Sequence, residues 1–219
     1  MAGDGAADTA GRSTGDGLEP PEGMNPEAAL SWPPPDLIDQ FLGDFHFRLG
    51  EDTPLPTDDP EAIAKARHFR DVLGRFCTGV TVVTSTSNGE PIGMTCQSFS
   101  SVSLSPPLVL FCPAKTSRAW PLMQRAGNFC VNLLAVGQEE LSNTMASKGA
   151  DKFAGVEWSP SKTGAPLIDG VLGYVDCTIH AVHEAGDHYI VIGKVQDLGF
   201  GAADAPLLFL EGTYGRYTP

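Results

Sequence analysis

Apolar residues recur along this chain with two different periods, and the change from one to the other divides it. After the helix-start pair Asp59-Pro60, the residues Ile63, Ala66, Phe69, Leu73 and Phe76 fall on one helical face, which predicts a helix running to about Arg75. From Gly79 the texture becomes β: GVTVVTST, the turn dipeptide Asn88-Gly89, PIGMTCQSFSSVSL, Pro107 to Cys112, and Asn128 to Leu134. Two short helical pieces interrupt it, from about Ser117 to Arg125 and from Gln138 to Ser147. A long strand, Val171 to Glu184, turns at Ala185-Gly186-Asp187 into a second, His188 to Asp197, and Pro206 to Tyr214 supplies a last one. Six or more strands with few helices predict a mainly β fold, an antiparallel sheet closed or nearly closed into a barrel, because closure removes exposed edges. Gly199-Phe200-Gly201 follows a strand but leads to neither a third glycine nor a helix, so nicotinamide binding by a Rossmann unit is not expected.

Upstream of the helix the pattern disappears. Residues 1 to 36, rich in Gly, Pro, Asp and Ala, carry too little apolar surface to offset chain entropy, and disorder is the expectation. Then Leu37, Ile38, Phe41, Leu42, Phe45 and Leu49 follow Asp36, a residue suited to an N-cap, which predicts a short amphipathic helix over 36–49. Such a segment either folds back onto its own domain or subunit or docks on another protein. The expected division is an arm, 1–58, and a domain, 59–219.

Charge follows the same division. The net charge of the 219 residues is −13, with 13 acidic and 2 basic side chains in residues 1–60 against 14 and 12 in the remainder. The acidity belongs to the arm, and the bulk of the chain lacks the basic face that a nucleic-acid partner requires. The longest apolar stretches, such as Leu108 to Cys112, are far too short to span a membrane, and MAGDGAADTA lacks the basic start and apolar run of a secretory signal. A cytoplasmic protein is expected. Its cysteines, Cys77, Cys96, Cys112, Cys130 and Cys177, are odd in number, without a close pair and mostly within strand-like runs; they read as small buried hydrophobes, with no metal ligand among them.

Two segments carry groups that could meet a ligand, the first of them more polar than a core strand should be. Gly93-Met94-Thr95-Cys96-Gln97-Ser98-Phe99-Ser100-Ser101-Val102-Ser103 is dense in hydroxyl and amide groups between apolar strands. It is either a solvent-facing connection or a groove whose backbone N–H groups and hydroxyls bond a planar heteroaromatic ring and a phosphate. Cys112-Pro113-Ala114-Lys115-Thr116-Ser117-Arg118 joins a strand end to a helix start. It serves either as ordinary capping by Thr116 or Ser117 or as an anion site with Lys115 and Arg118 beside free N–H groups.

The segments FRDVLGRFCTGVTVVTS, GMTCQSFSSVSLSPPLVLFCPAKTSRAW, DKFAGVEW, AGDHYIVIGKV and PLLFLEGTY, in this order, closely resemble the flavin reductase family of the FMN-binding split-barrel fold. The likeness is nearest to reductase components of two-component flavin-dependent monooxygenases acting on phenols, hydroxyphenylacetate and steroid-derived phenols, and covers about residues 66 to 219. It implies a homodimer that passes a hydride from NADH or NADPH to FAD or FMN and releases reduced flavin to a separate oxygenase. By the same resemblance, Ile92, Gly93, Met94 and Thr95, with Gln97 and Ser98, contact the isoalloxazine edge and ribityl chain. Cys112, Pro113, Ala114, Ser117 and Arg118 contact the rest of the flavin, including its phosphate region. His188, in Gly186-Asp187-His188, lies near the nicotinamide, where it positions the ring or stabilises charge. Hydride transfer needs no protein nucleophile, only stacked rings and excluded water. One departure stands out: Thr144 and Met145 occupy the end of the second short helix, where relatives often carry a basic and an aromatic residue. Two other functions remain open, a flavin-binding module without nicotinamide turnover and a partner-recruiting scaffold built around the arm.

Overall fold

The structure, a computed structural model, describes residues 59–148 and 151–218. The calls on the arm, disorder over 1–36, a helix over 36–49 and the boundary at 58, lie outside them. The elements in chain order are α1 (Pro60–Leu73), β1 (Thr78–Gly79), β2 (Thr81–Ser87), β3 (Glu90–Cys96), β4 (Ser100–Leu104), β5 (Pro107–Phe111), α2 (Trp120–Ala126), β6 (Asn128–Leu133), α3 (Glu139–Ala146), β7 (Trp158–Pro160), β8 (Pro166–Ile168), β9 (Gly173–Ala185), β10 (His188–Phe200), β11 (Leu207–Leu210) and β12 (Thr213–Arg216). Seven strands form one antiparallel sheet in the order β3-β2-β6-β9-β10-β5-β4. Its two terminal strands are consecutive in the chain, so the sheet curls until Gln97, Ser98 and Phe99 bridge its free edges. This is a barrel split between β3 and β4.

The strand pattern explains the curl. β2 alternates between two cores: Val83 faces Phe111, Trp120, Phe129, Ile179 and Val191 inside the barrel, while Val82 packs with Leu134, Met145, Ile168 and Leu207 outside it. Burial on both faces is why β2 reads as an almost continuous apolar and hydroxyl run. Inside, the Phe111 ring meets Phe129 edge-on at 4.9 Å and Trp120 at 6.0 Å, and each such fully buried ring contributes on the order of 2–3 kcal/mol of transfer free energy. Gly193 of β10 passes directly beneath this cluster, where a Cβ would overlap the Phe129 ring. The smaller sheet, β1-β11-β12, covers the outer core.

Several expectations change in detail. The single run from Pro91 to Leu104 breaks into β3 and β4, and the last strand splits at Glu211-Gly212, both at positive φ. The second helix begins at Trp120, because Ser117 stands ahead of it with its hydroxyl accepting the Trp120 N–H at 3.2 Å. The β7–β8 hairpin is absent from the sequence reading, since three-residue strands carry too little periodicity. Among the described residues the apolar stripe of α1 buries none of its members: Phe69, Val72, Leu73 and Phe76 are all more than half exposed. Cys96, Cys130 and Cys177 are buried, Cys112 is half-buried, and Cys77 is exposed, contrary to the reading of all five as buried. Burial, reinforced by Asp176, pushes the Cys130 and Cys177 thiols far above their usual range. Among the described residues no helix is long and apolar enough to cross a membrane.

Candidate active site

β3 ends the large sheet, so one row of its backbone N–H and C=O groups points away from β2. Its side chains divide as the pleat dictates. Ile92 and Met94 pack against the barrel interior, while Gly93 lies under Met145 and Phe153, and Thr95 donates from its hydroxyl to the Ser142 carbonyl of α3. A Cβ at Gly93 would stand 3.0 Å from Met145 Sδ and 3.2 Å from the Phe153 ring, so the close packing of α3 and the 153 loop on β3 depends on glycine there. What Ile92, Gly93, Met94 and Thr95 offer a ligand is therefore the strand's backbone edge, whose alternating donors and acceptors suit the rim of a planar heterocycle such as isoalloxazine.

The two polar segments are stapled together. Ser98 Oγ accepts the Cys112 N–H at 2.8 Å and lies 3.0 Å from Cys96 Sγ, fixing the crossing between β3 and β4 to the end of β5. Ser117 Oγ reaches Met94 Sδ at 3.6 Å. Tyr189 N–H donates to the Pro113 carbonyl and Lys115 N–H to the Asp187 carbonyl, both at 2.9 Å, and Ala114 forms an antiparallel bridge with His188. A continuous rim thus runs from β3 through Ser98 and residues 112–117 to the Asp187-His188 turn, joining the expected residues of β3, Ser98, Cys112, Pro113, Ala114 and Ser117 to His188, while Arg118 follows Ser117 in the chain. Gln97 is exposed on the connection and, with Ser98, borders a separate cavity of about 630 Å³ lined mainly by apolar groups including Phe76, Val80, Leu133 and Leu207.

Two parts of the expectation for residues 112–118 need correction. The N–H groups of Cys112, Lys115 and Ser117 already have partners within the protein, so they are not a free anion-binding set. Lys115 is paired with Glu184 at 3.0 Å and lies over the Tyr189 ring at 5.6 Å, so its charge is compensated.

At the far end of the rim, His188 Nδ1 stands 2.8 Å from Asp187 Oδ1. That hydrogen bond holds the Asp187 carboxyl below the usual carboxylate value and turns Nε2, the other ring nitrogen, away from Asp187. The His188 side chain is 44% exposed, accessible enough to meet a ligand and anchored enough to orient it.

One residue escaped the sequence reading. Lys152 Nζ donates to the Met145 carbonyl at 2.8 Å and the Gly93 carbonyl at 3.4 Å, and Phe153 beside it covers Gly93. A cation and a ring therefore do stand at the end of α3, although Thr144 and Met145 supply neither. The signal was present in DKFAGVEW, but placing it against β3 required the three-dimensional path of the loop. The Tyr214 hydroxyl lies between Ser142 Oγ at 2.9 Å and Asn143 Oδ1 at 2.8 Å on α3, as donor, and its ring packs on Phe209.

The chain is thus an antiparallel split barrel that carries a free strand edge, a stapled polar loop and a histidine turn on one rim. Residues 73–218 match the family model described as flavin reductase like domain, and the chain belongs to that family. It is 50% identical over 155 residues, 70% of this chain and 83% of the relative, to the reductase subunit HsaB of a flavin-dependent monooxygenase from Mycobacterium tuberculosis. An FMN reductase (NADH), SmoA, from Agrobacterium fabrum is 43% identical over 153 residues, covering 70% of this chain and 87% of the relative. Among solved structures, component B of nitrilotriacetate monooxygenase from Mycobacterium thermoresistibile superposes with a TM-score of 0.70 at 50% identity, over 73% of this chain and 89% of the other. The NADH:FAD oxidoreductase SgcE6 of Streptomyces globisporus, solved with NAD and FAD fragments, gives 0.66 at 41% identity, over 74% and 96%.

Proposed function

We propose that this chain is an NAD(P)H:flavin oxidoreductase that passes a hydride from NADH or NADPH to FMN or FAD and supplies reduced flavin to a partner oxygenase. The observation that carries it is the continuous rim from the β3 edge to His188, in a chain whose relatives are named as flavin reductases and monooxygenase reductase subunits. Bound flavin would supply the hydride acceptor. The chain's own part is placement: the β3 edge orients the heterocycle, residues 112–114 bound it on the second side, and the Asp187-His188 pair positions the donor through Nε2. Trp120 and Phe111 are buried in the barrel core. No side chain on the rim is required as a nucleophile.

The reductase works as a homodimer. What supports this is the exposure of large apolar side chains, among them Phe69, Leu73 and Phe76 and the fully accessible Leu104 and Phe200, which a second copy would cover. Light scattering on the purified full chain is expected to give twice the chain mass. Anaerobic addition of NADH to protein and flavin tests the reaction itself. Bleaching of the flavin absorbance is the expected outcome, whereas flavin that binds but stays oxidised with either donor would make the chain a binding module.

A further inference from the structure

The cavity of about 630 Å³ bordered by Gln97 and Ser98 is walled mainly by apolar side chains, Phe76, Val80, Leu133, Leu134, Leu172 and Leu207. An apolar cavity of about 150 Å³ already holds a benzene ring, so this one has room for several side chains. Thr78 Oγ1, on the same wall, is buried without a hydrogen-bond partner among the described residues. The chain enters this wall from the end of α1, whose Phe69, Val72 and Leu73 are more than half exposed. Apolar walls, an orphaned hydroxyl and an uncovered helix face together require a covering element.

One segment of this chain has the matching pattern. On a helix over 36–49, Leu37, Ile38, Phe41, Leu42, Phe45 and Leu49 fall on one face about 140° wide, with Asp39 and Asp44 toward its two margins. The charges are complementary. Residues 36–49 hold three acidic and one basic side chain, whereas 60–75 hold four basic and two acidic. Lys65 pairs with Glu61 and Arg75 with Glu211, but Arg67 and Arg70 have no ion-pair partner among the described residues. The lengths also agree. Segment and α1 each count 14 residues, about 21 Å as helices, and residues 50–58 can span up to about 30 Å. The chain can therefore turn back before Pro60 and run along α1 to the cavity.

We propose that residues 36–49 fold back along α1 of their own chain as an antiparallel helix and seat Leu37, Ile38 and Phe41 in the cavity beside Phe76. Asp39 and Asp44 are thereby brought to Arg70 and Arg67, and the two helix dipoles oppose each other. The family match begins at residue 73, so the docked arm and most of α1 are additions to the matched domain. Because Gln97 and Ser98 border the cavity, the arm braces the crossing that Ser98 staples to β5. The surface left to a second copy is then chiefly that around Leu104 and Phe200.

Cys77 supplies the reporter, since it is exposed and lines the same cavity. The full chain carrying Ile38→Cys, Phe41→Cys or, on the polar face, Gln40→Cys is mildly oxidised, and its disulfides are mapped by mass spectrometry after unreduced digestion. A disulfide needs Cα atoms within about 7 Å, so Ile38→Cys or Phe41→Cys should link to Cys77 within one chain at least about fivefold more than Gln40→Cys. Arg67→Glu with Arg70→Glu should lower that yield about threefold, as should high salt. Equal yields from all three positions, or no link to Cys77 from either Ile38→Cys or Phe41→Cys, would overturn the docking. A link formed only between two chains would assign the cavity to the arm of a second copy, and a dominant Cys77–Cys77 dimer would assign this face to the second copy's α1. Either result would overturn the fold-back.

Discussion

Two polar clusters interrupt this apolar barrel, and they are built on opposite principles. The first is closed. Asp176, fully buried on β9, accepts from the hydroxyls of Ser161 and Thr163 at 2.9 and 2.7 Å and from the Thr163 N–H at 2.8 Å. Beside it, buried Asn132 accepts the Ile168 N–H at 2.8 Å and donates to Thr84 Oγ1, while Asn128 joins Ser85 to the Thr163 carbonyl. These bonds tie the β7–β8 hairpin to the barrel and turn inward. The second cluster, the rim around Ser98, Ser117, His188 and Lys152, spends part of its bonding on holding loops together and leaves a strand edge and a histidine facing outward. A buried polar group with its bonds completed inside the protein specifies the fold. One held in place with bonding capacity left over is available to a ligand.

The largest expected effect belongs to the closed cluster. Asp176→Ala orphans three donors and is expected to cost about 3 kcal/mol or more in urea unfolding, while the flavin affinity of the protein that remains folded changes little. A loss of flavin binding without a loss of stability would dissolve the distinction between the clusters. Gly193→Ala should follow at about 1–3 kcal/mol, because the added methyl must displace the Phe129 ring in a filled core.

Rim substitutions should reverse that balance. His188→Ala is expected to lower the turnover of flavin reduction about tenfold, equivalent to about 1.4 kcal/mol of barrier, with the unfolding midpoint nearly unchanged. An unaltered rate across NADH concentrations would remove His188 from the site. Ser98→Ala takes away the acceptor of the Cys112 N–H and should raise the flavin KM by a few-fold, with a stability cost of about 1 kcal/mol.

The smallest effect concerns Asp187. Its carboxyl is held below the usual value chiefly by the hydrogen bond to His188, so its stabilisation is present above the unfolded-state pKa and is lost as the pH falls through the lower folded-state one. Thermal melts of the unaltered protein and Asp187→Asn should therefore differ slightly at neutral pH and converge below pH about 4. A gap that widens on acidification would contradict the assigned direction.

Much of this contrast was legible in the amino-acid sequence, for physical reasons that differ by element. The β9–β10 hairpin was readable because thirteen-residue strands give many repeats of the alternation and Ala185-Gly186-Asp187 marks the turn. Ser98 stood out as a hydroxyl in a segment more polar than a core strand should be, and Ser117 as a capping or anion-site candidate at a helix start. Their role as staples was not legible, since it depends on Cys112 and Met94, 14 and 23 positions away. The start of α2 was misplaced for the same reason: a serine ahead of a helix and one within it look alike until its hydroxyl finds the Trp120 N–H. Lys152 was hidden in a loop whose sequence gives no period, and α1 followed its expected spacing although its apolar face is not buried among the described residues.

The most direct test of the central claim, that the open rim reduces flavin, is NADH oxidation by the purified full chain with FMN, FAD or no flavin added, and with NADPH in parallel. The account predicts turnover that saturates with added flavin and nearly vanishes without it. No oxidation of either donor with either flavin would contradict it.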